Sequence, residues 1–521
     1  MKKLIFAIVR AQDLAVRLLA RRVSTHKLLL LPGIEPLRWR LGLWRALRTF
    51  EASARRVPAY REFLTSKGFP HELPDSGSLT KAFATIPEMD KDSYIRKWSI
   101  TQRCVDGELP RRGVVVDESS GSSGNPTSWV RGPDERVATR VLLQVGFAQT
   151  SNRLPKQPFV LNAFSLGAWA TGMNVTTSLA DVTMIKSIGP DKDKIIATMR
   201  EFGTDFTYII LSYPPFLKSL FDDERLDWST YDIVAAFGGE GISENMRAHI
   251  SRYAHSVFGS YGASDLEINF ALETDFTVAL RQEIARNPEL ARLLTRQHEY
   301  GVLPMIFQFN PYNYLIETNQ AGELLVTITR KENLNPRIRY NIHDRGHVTR
   351  LRELLPILRR SGLGGIVDKK LLDFPLLFHY GRSDLSVDFN GAVVAPDTVR
   401  DVIFGSPELI ETIENHRLIS YEDDAGDRQL HIALQLKETG PEIDQDQVRE
   451  LVFSELRRLN SDFDHAIVTS PTSALPSLAC YSFRSGPFAE DGSKLKNEYV
   501  WQLAAGDDGR WALKTEHRAR P

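Results

Sequence analysis

At 521 residues, with 65 Lys plus Arg against 66 Asp plus Glu, the chain has room for roughly three folding units of about 150 residues each. The formal charge of -1 excludes the electrostatic footprint of a nucleic-acid or anionic-lipid binder and favours a small-molecule partner. Two cysteines, Cys104 and Cys480, exclude a disulfide framework and a four-thiolate zinc site, as expected of a protein of the reducing cytoplasm.

Residues 3 to 22 read as an amphipathic helix. Arg10 and Asp13 interrupt its apolar run, so it is not a signal peptide; its Leu, Ile and Val side chains can pack on the same chain or lie on a membrane surface. No later segment approaches the ~18 uncharged apolar residues needed to span a bilayer. A helical pattern from 40 to 66 ends near Gly68, and Pro87 to Lys91 form a turn into another short helix. The β-branched run Arg112-Gly113-Val114-Val115-Val116 reads as a strand, and it is followed by Asp117-Glu118-Ser119-Ser120-Gly121-Ser122-Ser123-Gly124-Asn125-Pro126-Thr127. In this loop Gly121 and Gly124 permit close backbone approach, while Ser119, Ser120, Ser122, Ser123 and Thr127 supply hydroxyl donors, a composition suited to a polyphosphate. Composition alone equally allows a flexible linker. From 134 to 380, strands (159 to 163, 206 to 211, 232 to 238, 256 to 260, 324 to 329) alternate with helices (134 to 149, 192 to 202, 243 to 254, 279 to 297), as in α/β layers. Beyond Arg382 the chain becomes more charged, with a strand at 429 to 436 and a helix at 445 to 459, which predicts a separate small α+β domain.

Five further segments carry unusual chemistry. Gly238-Gly239-Glu240-Gly241-Ile242-Ser243-Glu244 follows an apolar strand, so its glycines let a flat ring lie on the backbone. Tyr261-Gly262-Ala263-Ser264-Asp265 places an aromatic face, a hydroxyl and a carboxylate within one turn. Arg339-Tyr340-Asn341-Ile342-His343-Asp344 ends in a carboxylate able to accept two ribose hydroxyls, and Gly381-Arg382-Ser383-Asp384 joins a permanent cation to a turn. Gly492-Ser493-Lys494-Leu495-Lys496 is a basic loop near the C-terminus.

Together with the Ser/Gly loop, these segments resemble, in order and spacing, the core motifs of the adenylate-forming superfamily of acyl-CoA synthetases, luciferases and adenylation domains. The resemblance covers nearly the whole chain. Val57-Pro58-Ala59-Tyr60-Arg61, Ile86-Pro87-Glu88-Met89-Asp90-Lys91 and the Gly-Gly-Glu string running to Arg247 are most similar to the branch of phenylacetate-CoA ligases and capsule-biosynthesis homologues. The resemblance implies an α/β fold: a large multi-layer N-terminal domain with mixed sheets at 1–382, and a small mobile α+β lid at 383–521 that turns about a hinge near Asp384.

The family pattern further implies an ATP site in which Ser119, Ser120, Gly121, Ser122, Ser123, Gly124 and Thr127 hold the β- and γ-phosphates. Gly239, Glu240, Tyr261, Gly262 and Ser264 border the adenine, Asp344 receives the ribose hydroxyls, and Arg382 lies on ribose or phosphate. Asp265 takes Mg²⁺, where relatives carry Glu, so the shorter carboxylate acts through water or hands the task to Glu267. Lys494, with Lys496 as fallback, bridges the substrate carboxylate and the α-phosphate; relatives read Gly-Lys where this chain has Ser493 between. Asn125 stands where many relatives have Lys, which makes the phosphate loop less basic. Candidates for the acyl pocket are Phe164, Trp169, Tyr208 and Gly238, whose aromatic content suits an aryl, cyclic or medium aliphatic acid.

The implied activity is ATP- and Mg²⁺-dependent conversion of a small carboxylic acid to an acyl-adenylate with release of pyrophosphate, followed by transfer to an acceptor. Coenzyme A is the family's commonest acceptor; an amino acid or a carrier protein is the alternative, and a non-catalytic nucleotide-binding relative is a third reading. The Ser/Gly loop lacks the Gly-Lys-Ser/Thr ending of a P-loop, and Gly121-Ser122-Ser123-Gly124 is one residue short of a hydrolase elbow.

Overall fold

The computed structural model describes residues 2–20, 32–73, 78–118, 127–167, 170–239, 241–300, 302–367, 372–383, 387–389, 392–422, 428–441, 444–470, 472, 475–491, 498–503, 513–514 and 518–519. Contacts divide the chain into two compact units: 1–241 with 250–283 and 305–379, and 242–249 with 284–304 and 380–521.

The first unit is organised on an eleven-stranded mixed sheet. Its strands are β3 (Gln157–Asn162), β4 (Met184–Ser187), β5 (Phe206–Ser212), β6 (Asp232–Phe237), β7 (Ser256–Tyr261), β8 (Ala271–Leu272), β9 (Met305–Phe309), β10 (Tyr314–Thr318), β11 (Glu323–Ile328), β12 (Tyr340–Thr349) and β13 (Leu376–Arg382), in the order β10-β11-β12-β13-β9-β8-β7-β6-β5-β3-β4. Pairs from β4 to β7 are parallel and joined by helices such as Lys192–Phe202, whose first turn is capped by Asp191; the pairs β7–β8, β8–β9, β9–β13, β10–β11 and β11–β12 are antiparallel. A separate hairpin, β1 (Val115–Glu118) with β2 (Ser128–Arg131), flanks the Ser/Gly loop. Its first strand begins three residues later than the apolar run at 112 predicts, because Arg112 and Gly113 lie in an exposed turn.

Prolines account for most of the displaced helix boundaries. The pattern at 40 to 66 is two helices, Glu35–Arg56 and Pro58–Ser66, and that at 279 to 297 breaks into Asp275–Arg286 and Pro288–Leu294. In each case the proline occupies the first helical position, where its missing N–H costs nothing. The N-terminal helix Lys2–Ala20 packs on the same unit: Val9 and Asp13 are buried, Asp13 pairs with Arg45 and Arg48 of helix Glu35–Arg56, and Phe6 meets Trp44 edge-on. Among the described residues no helix is long and apolar enough to cross a membrane.

The second unit has a four-stranded sheet in the order β16 (Ser477–Tyr481), β15 (Arg428–Leu436), β14 (Ile413–Glu422), β17 (Val500–Gln502). Helices Pro396–Gly405 and Gln445–Leu459 cover it through Val399, Val402, Val448, Val452 and Leu456, giving an α+β layer with its own core.

Candidate active site

Parallel pairing gives way to antiparallel pairing between β7 and β8, and ligand sites of open α/β sheets lie beyond the carboxyl ends of the parallel strands. Tyr261 closes β7 there. The backbone then turns through Gly262 so tightly that Ala263 N–H reaches the Glu267 carbonyl at 3.1 Å. A Cβ at position 262 would meet Asn269 N at 2.6 Å, Ile268 Cα at 2.8 Å and the Glu267 carbonyl oxygen at 2.9 Å. All three are backbone atoms and cannot swing away. Gly262→Ala is therefore expected to open the turn and lose about 1–3 kcal/mol of stability, read as a lowered unfolding midpoint.

The turn aims its side chains at two carboxylate centres. In the first, the Tyr261 hydroxyl donates to Asp344 Oδ2 at 2.5 Å, and His379 Nε2 stands 3.1 Å from the same oxygen. The Tyr261 ring stacks on Phe307 at 5.7 Å and meets Phe270 at 4.7 Å, so the hydroxyl is held by packing on both sides. In the second, Asp265 Oδ2 accepts from the Tyr340 hydroxyl at 2.8 Å, while Lys91 Nζ lies 3.2 Å from Oδ1. Burial, reinforced by the Asp265 carboxylate, pushes the Tyr340 phenol well above its ordinary value, so it stays protonated as a donor.

Lys91 reaches this point through a short piece of parallel pairing. Met89 bridges Tyr340, with Met89 N–H donating to the Arg339 carbonyl at 3.2 Å and Asn341 N–H to the Met89 carbonyl at 2.8 Å. Asp90 then caps the single wide helical turn Lys91–Ile95, accepting from Ser93 N–H at 2.6 Å. The Lys91 side chain is 31% exposed, and its ammonium stands 6.0 Å above the Trp129 ring of β2. The proline-bounded segment 86–91 thus delivers a cation between Asp265 and the hairpin that flanks the Ser/Gly loop.

Arg131, the last residue of β2, fastens that hairpin to the turn. It donates to the Leu266 carbonyl at 2.6 Å and to the Ser264 carbonyl, and it pairs with Asp117 of β1 at 3.3 Å and with Glu135 at 3.2 Å. Burial alone would lower its pKa, but Glu135 and Asp117 outweigh burial and raise it, so the anchor stays charged. Arg337 Nε donates to the Asp265 carbonyl at 2.8 Å, with the guanidinium carbon 4.6 Å above the Trp129 ring.

Glu267 faces the other way, into the unit. Its carboxylate accepts from Thr139, from the Tyr314 hydroxyl at 2.5 Å and from Arg330, and it is enclosed on all sides. Burial pushes its pKa up, yet the Arg330 guanidinium and these hydrogen bonds more than compensate and hold it below the ordinary carboxylate range. Both oxygens are engaged, so Glu267 does not fit a metal ligand. Asp265 is also buried and engaged at both oxygens, but the cation on its Oδ1, Lys91, is 31% exposed where the Arg330 of Glu267 is enclosed, so Asp265 is the carboxylate of the two that could exchange its partner for a metal ion.

Chains matching models of known families or curated proteins would offer a reference here, but this chain matches none. Solved structures do match. Two crystal structures of 2-hydroxyisobutyryl-CoA ligase in the postadenylation state, in complex with R3-HIB-AMP and with 2-HIB-AMP, superpose with TM-scores of 0.63 and 0.62 at 12% identity, each over 91% of both chains. The fold is that of an adenylate-forming ligase. The mixed sheet with a separate smaller unit is the α/β class expected for that fold.

Within this fold, Tyr261, Gly262, Ser264, Asp265 and Asp344 gather around the turn after β7, and Thr127 lies immediately before β2. Gly239 carries a left-handed φ of +84° just beyond β6. Gly238 lies against Phe164 and Ser260, since a Cβ there would stand 3.0 Å from Ser260 Oγ and 3.7 Å from Phe164 Cζ. Tyr208 departs from its expected place in the acyl pocket. It sits near the amino end of β5, fully buried among Phe159, Phe206 and Tyr231, with its hydroxyl donating to the Gly203 carbonyl at 2.7 Å. Strands of a parallel sheet present ligand-binding residues at their carboxyl ends, so Tyr208 belongs to the core. Arg382 falls in the second unit. Ser119, Ser120, Gly121, Ser122, Ser123, Gly124, Asn125, Trp169, Glu240, Asp384, Lys494 and Lys496 lie outside the described residues.

Lys91 lies inside a sequence motif that assigns it no role, and Arg131 and His379 lie outside every motif. The signal for Lys91 was a lysine directly after a Pro-x-Met-Asp segment that resists helix. Nothing local marks the other two.

Proposed function

We propose that the chain is an ATP-dependent carboxylate ligase. A carboxylate oxygen attacks the α-phosphorus of ATP, the bond from that phosphorus to the bridging α–β oxygen breaks, and pyrophosphate leaves with the electron pair. A thiol or amine acceptor then attacks the acyl carbonyl, AMP departs and the acceptor's proton passes to solvent. The observation that supports this reading is that the segments Tyr261–Asp265 and Arg339–Asp344, far apart in sequence, meet through the Tyr261–Asp344 and Tyr340–Asp265 hydrogen bonds.

In this reading Asp344 receives the ribose hydroxyls, Tyr261 borders the adenine, and the Ser/Gly loop from Ser119 to Thr127 holds the leaving pyrophosphate. Asp265 holds Mg²⁺, which supplies positive charge to the phosphates. The step brings two anions together, so the site must furnish cations and fixed geometry more than a general base. Lys91 beside Asp265 and Lys494 from the C-terminal loop are the two lysines assigned to that task, with Lys496 behind Lys494. Arg382 reaches ribose or phosphate, and rotation about Asp384 moves the region 383–521 between the two half-reactions. The acyl group lies by Phe164 and Gly238. The acceptor is coenzyme A, as in the phenylacetate-CoA ligase branch that segments 57–61 and 86–91 resemble.

Exchange of labelled pyrophosphate into ATP, driven by a panel of aryl, cyclic and medium aliphatic acids, tests the first half-reaction. Exchange with at least one acid is expected; none with any acid, alongside measurable ATP binding, would favour a nucleotide-binding relative. Products formed from an exchanging acid with coenzyme A and mixed amino acids, identified by mass, test the second. A thioester is expected, and amides alone would replace coenzyme A with an amino acid.

A further inference from the structure

The Asp344 carboxylate is held at one oxygen by two donors. Tyr261 Oη lies 2.5 Å and His379 Nε2 3.1 Å from the same oxygen, Oδ2. The two rings pack on each other with centroids 4.4 Å apart and planes at 40°, and Phe307 backs them both. His379 comes from β13, Asp344 from β12 and Tyr261 from β7, so three strands converge on one oxygen. The His379 side chain is only 15% exposed. A carboxylate only accepts hydrogen bonds, so Nε2 must carry the hydrogen, and Tyr261 must donate as well.

Two donors arriving from different directions fix the rotation of a carboxylate that a single donor would leave to swing about its Cβ–Cγ bond. The φ of +62° at His343, the residue immediately before Asp344, shows that the backbone here is itself held in a left-handed conformation. We propose that His379 is a positioning residue for nucleotide recognition: through Nε2 it holds the Asp344 carboxylate in the orientation that receives the ribose hydroxyls. This rests on the ATP-binding reading given above and adds to it a residue outside every motif that points to that reading.

The role is separable from packing because it acts only through the ribose hydroxyls. Binding of ATP and of 2′,3′-dideoxy-ATP should be measured by calorimetry for the unaltered chain, His379→Ala and His379→Gln. Glutamine can place its amide nitrogen close to where Nε2 stands. His379→Ala is expected to weaken ATP roughly tenfold, the size of one charge-assisted hydrogen bond, while leaving the dideoxy nucleotide unmoved. His379→Gln should restore most of the ATP affinity. If alanine weakens both nucleotides equally, or neither, His379 serves packing alone and the proposal falls. If the unaltered chain binds no ATP, the functional reading falls and takes this proposal with it.

Discussion

Replacing Lys91 with methionine is expected to slow acid-dependent pyrophosphate exchange about 10²-fold, the usual loss when one positioned electrostatic donor is removed from a charge-developing step. Methionine keeps most of the apolar stem of lysine and removes the ammonium, together with its contact 6.0 Å over Trp129. The lysine stands 3.2 Å from Asp265 and remains 31% exposed, so its charge is both fixed and able to meet a ligand. A lysine that merely balanced Asp265 would behave differently. Its loss would change stability and leave the exchange rate per folded molecule intact. Lys91→Arg separates the cases further: it preserves charge near Asp265 while changing its geometry, and an intermediate rate is expected if the ammonium meets the reacting phosphate. Running Lys494→Ala in parallel apportions the task between the two lysines. Abolished exchange in Lys494→Ala with normal exchange in Lys91→Met would return the adenylation role to the C-terminal loop alone.

This pair of lysines also illustrates what a sequence can display. Tyr261-Gly262 and Arg339-to-Asp344 were legible because each compresses its chemistry into five or six consecutive residues at a strand end, where local pattern and function coincide. The parallel half of the sheet was legible for the same reason, since β5, β6 and β7 are short apolar runs between helices. Lys91, Arg131 and His379 were not. Lys91 acts on Asp265, Arg131 on the carbonyls of Ser264 and Leu266, and His379 on Asp344, partners that meet only after the sheet has formed. The antiparallel strands β9 to β13 were mostly missed as well. β9 is buried on both faces, so it lacks the alternation that marks a half-exposed strand. Tyr208 shows the converse error: an aromatic in the right strand, at the wrong end of it.

Glu267 provides the largest expected effect on stability. Glu267→Gln is predicted to cost about 3–5 kcal/mol, because it leaves the Arg330 guanidinium buried without its carboxylate and turns an acceptor-only group toward three donors with an amide that can clash. The double variant Glu267→Gln with Arg330→Met should be less damaged than the single one, since removing both charges abolishes the uncompensated one. Denaturant unfolding followed by tryptophan fluorescence checks both, and a single variant as stable as the unaltered chain would show that the network contributes nothing. The acid limb offers a second reading. Glu267 is held below the ordinary carboxylate range in the folded chain, so its contribution is present above the unfolded value of about 4.3 and is lost as pH falls through the depressed folded value. Glu267→Gln should therefore flatten the decline of stability on the acid side. The same variant distinguishes a structural from a metal-binding carboxylate: a ligand of Mg²⁺ would, on substitution, leave the fold standing and raise the Mg²⁺ concentration needed for exchange. Enclosure by Thr139, Tyr314 and Arg330 predicts the opposite, a weakened fold whose surviving molecules keep their Mg²⁺ dependence, as the proposal that Asp265 takes the metal requires.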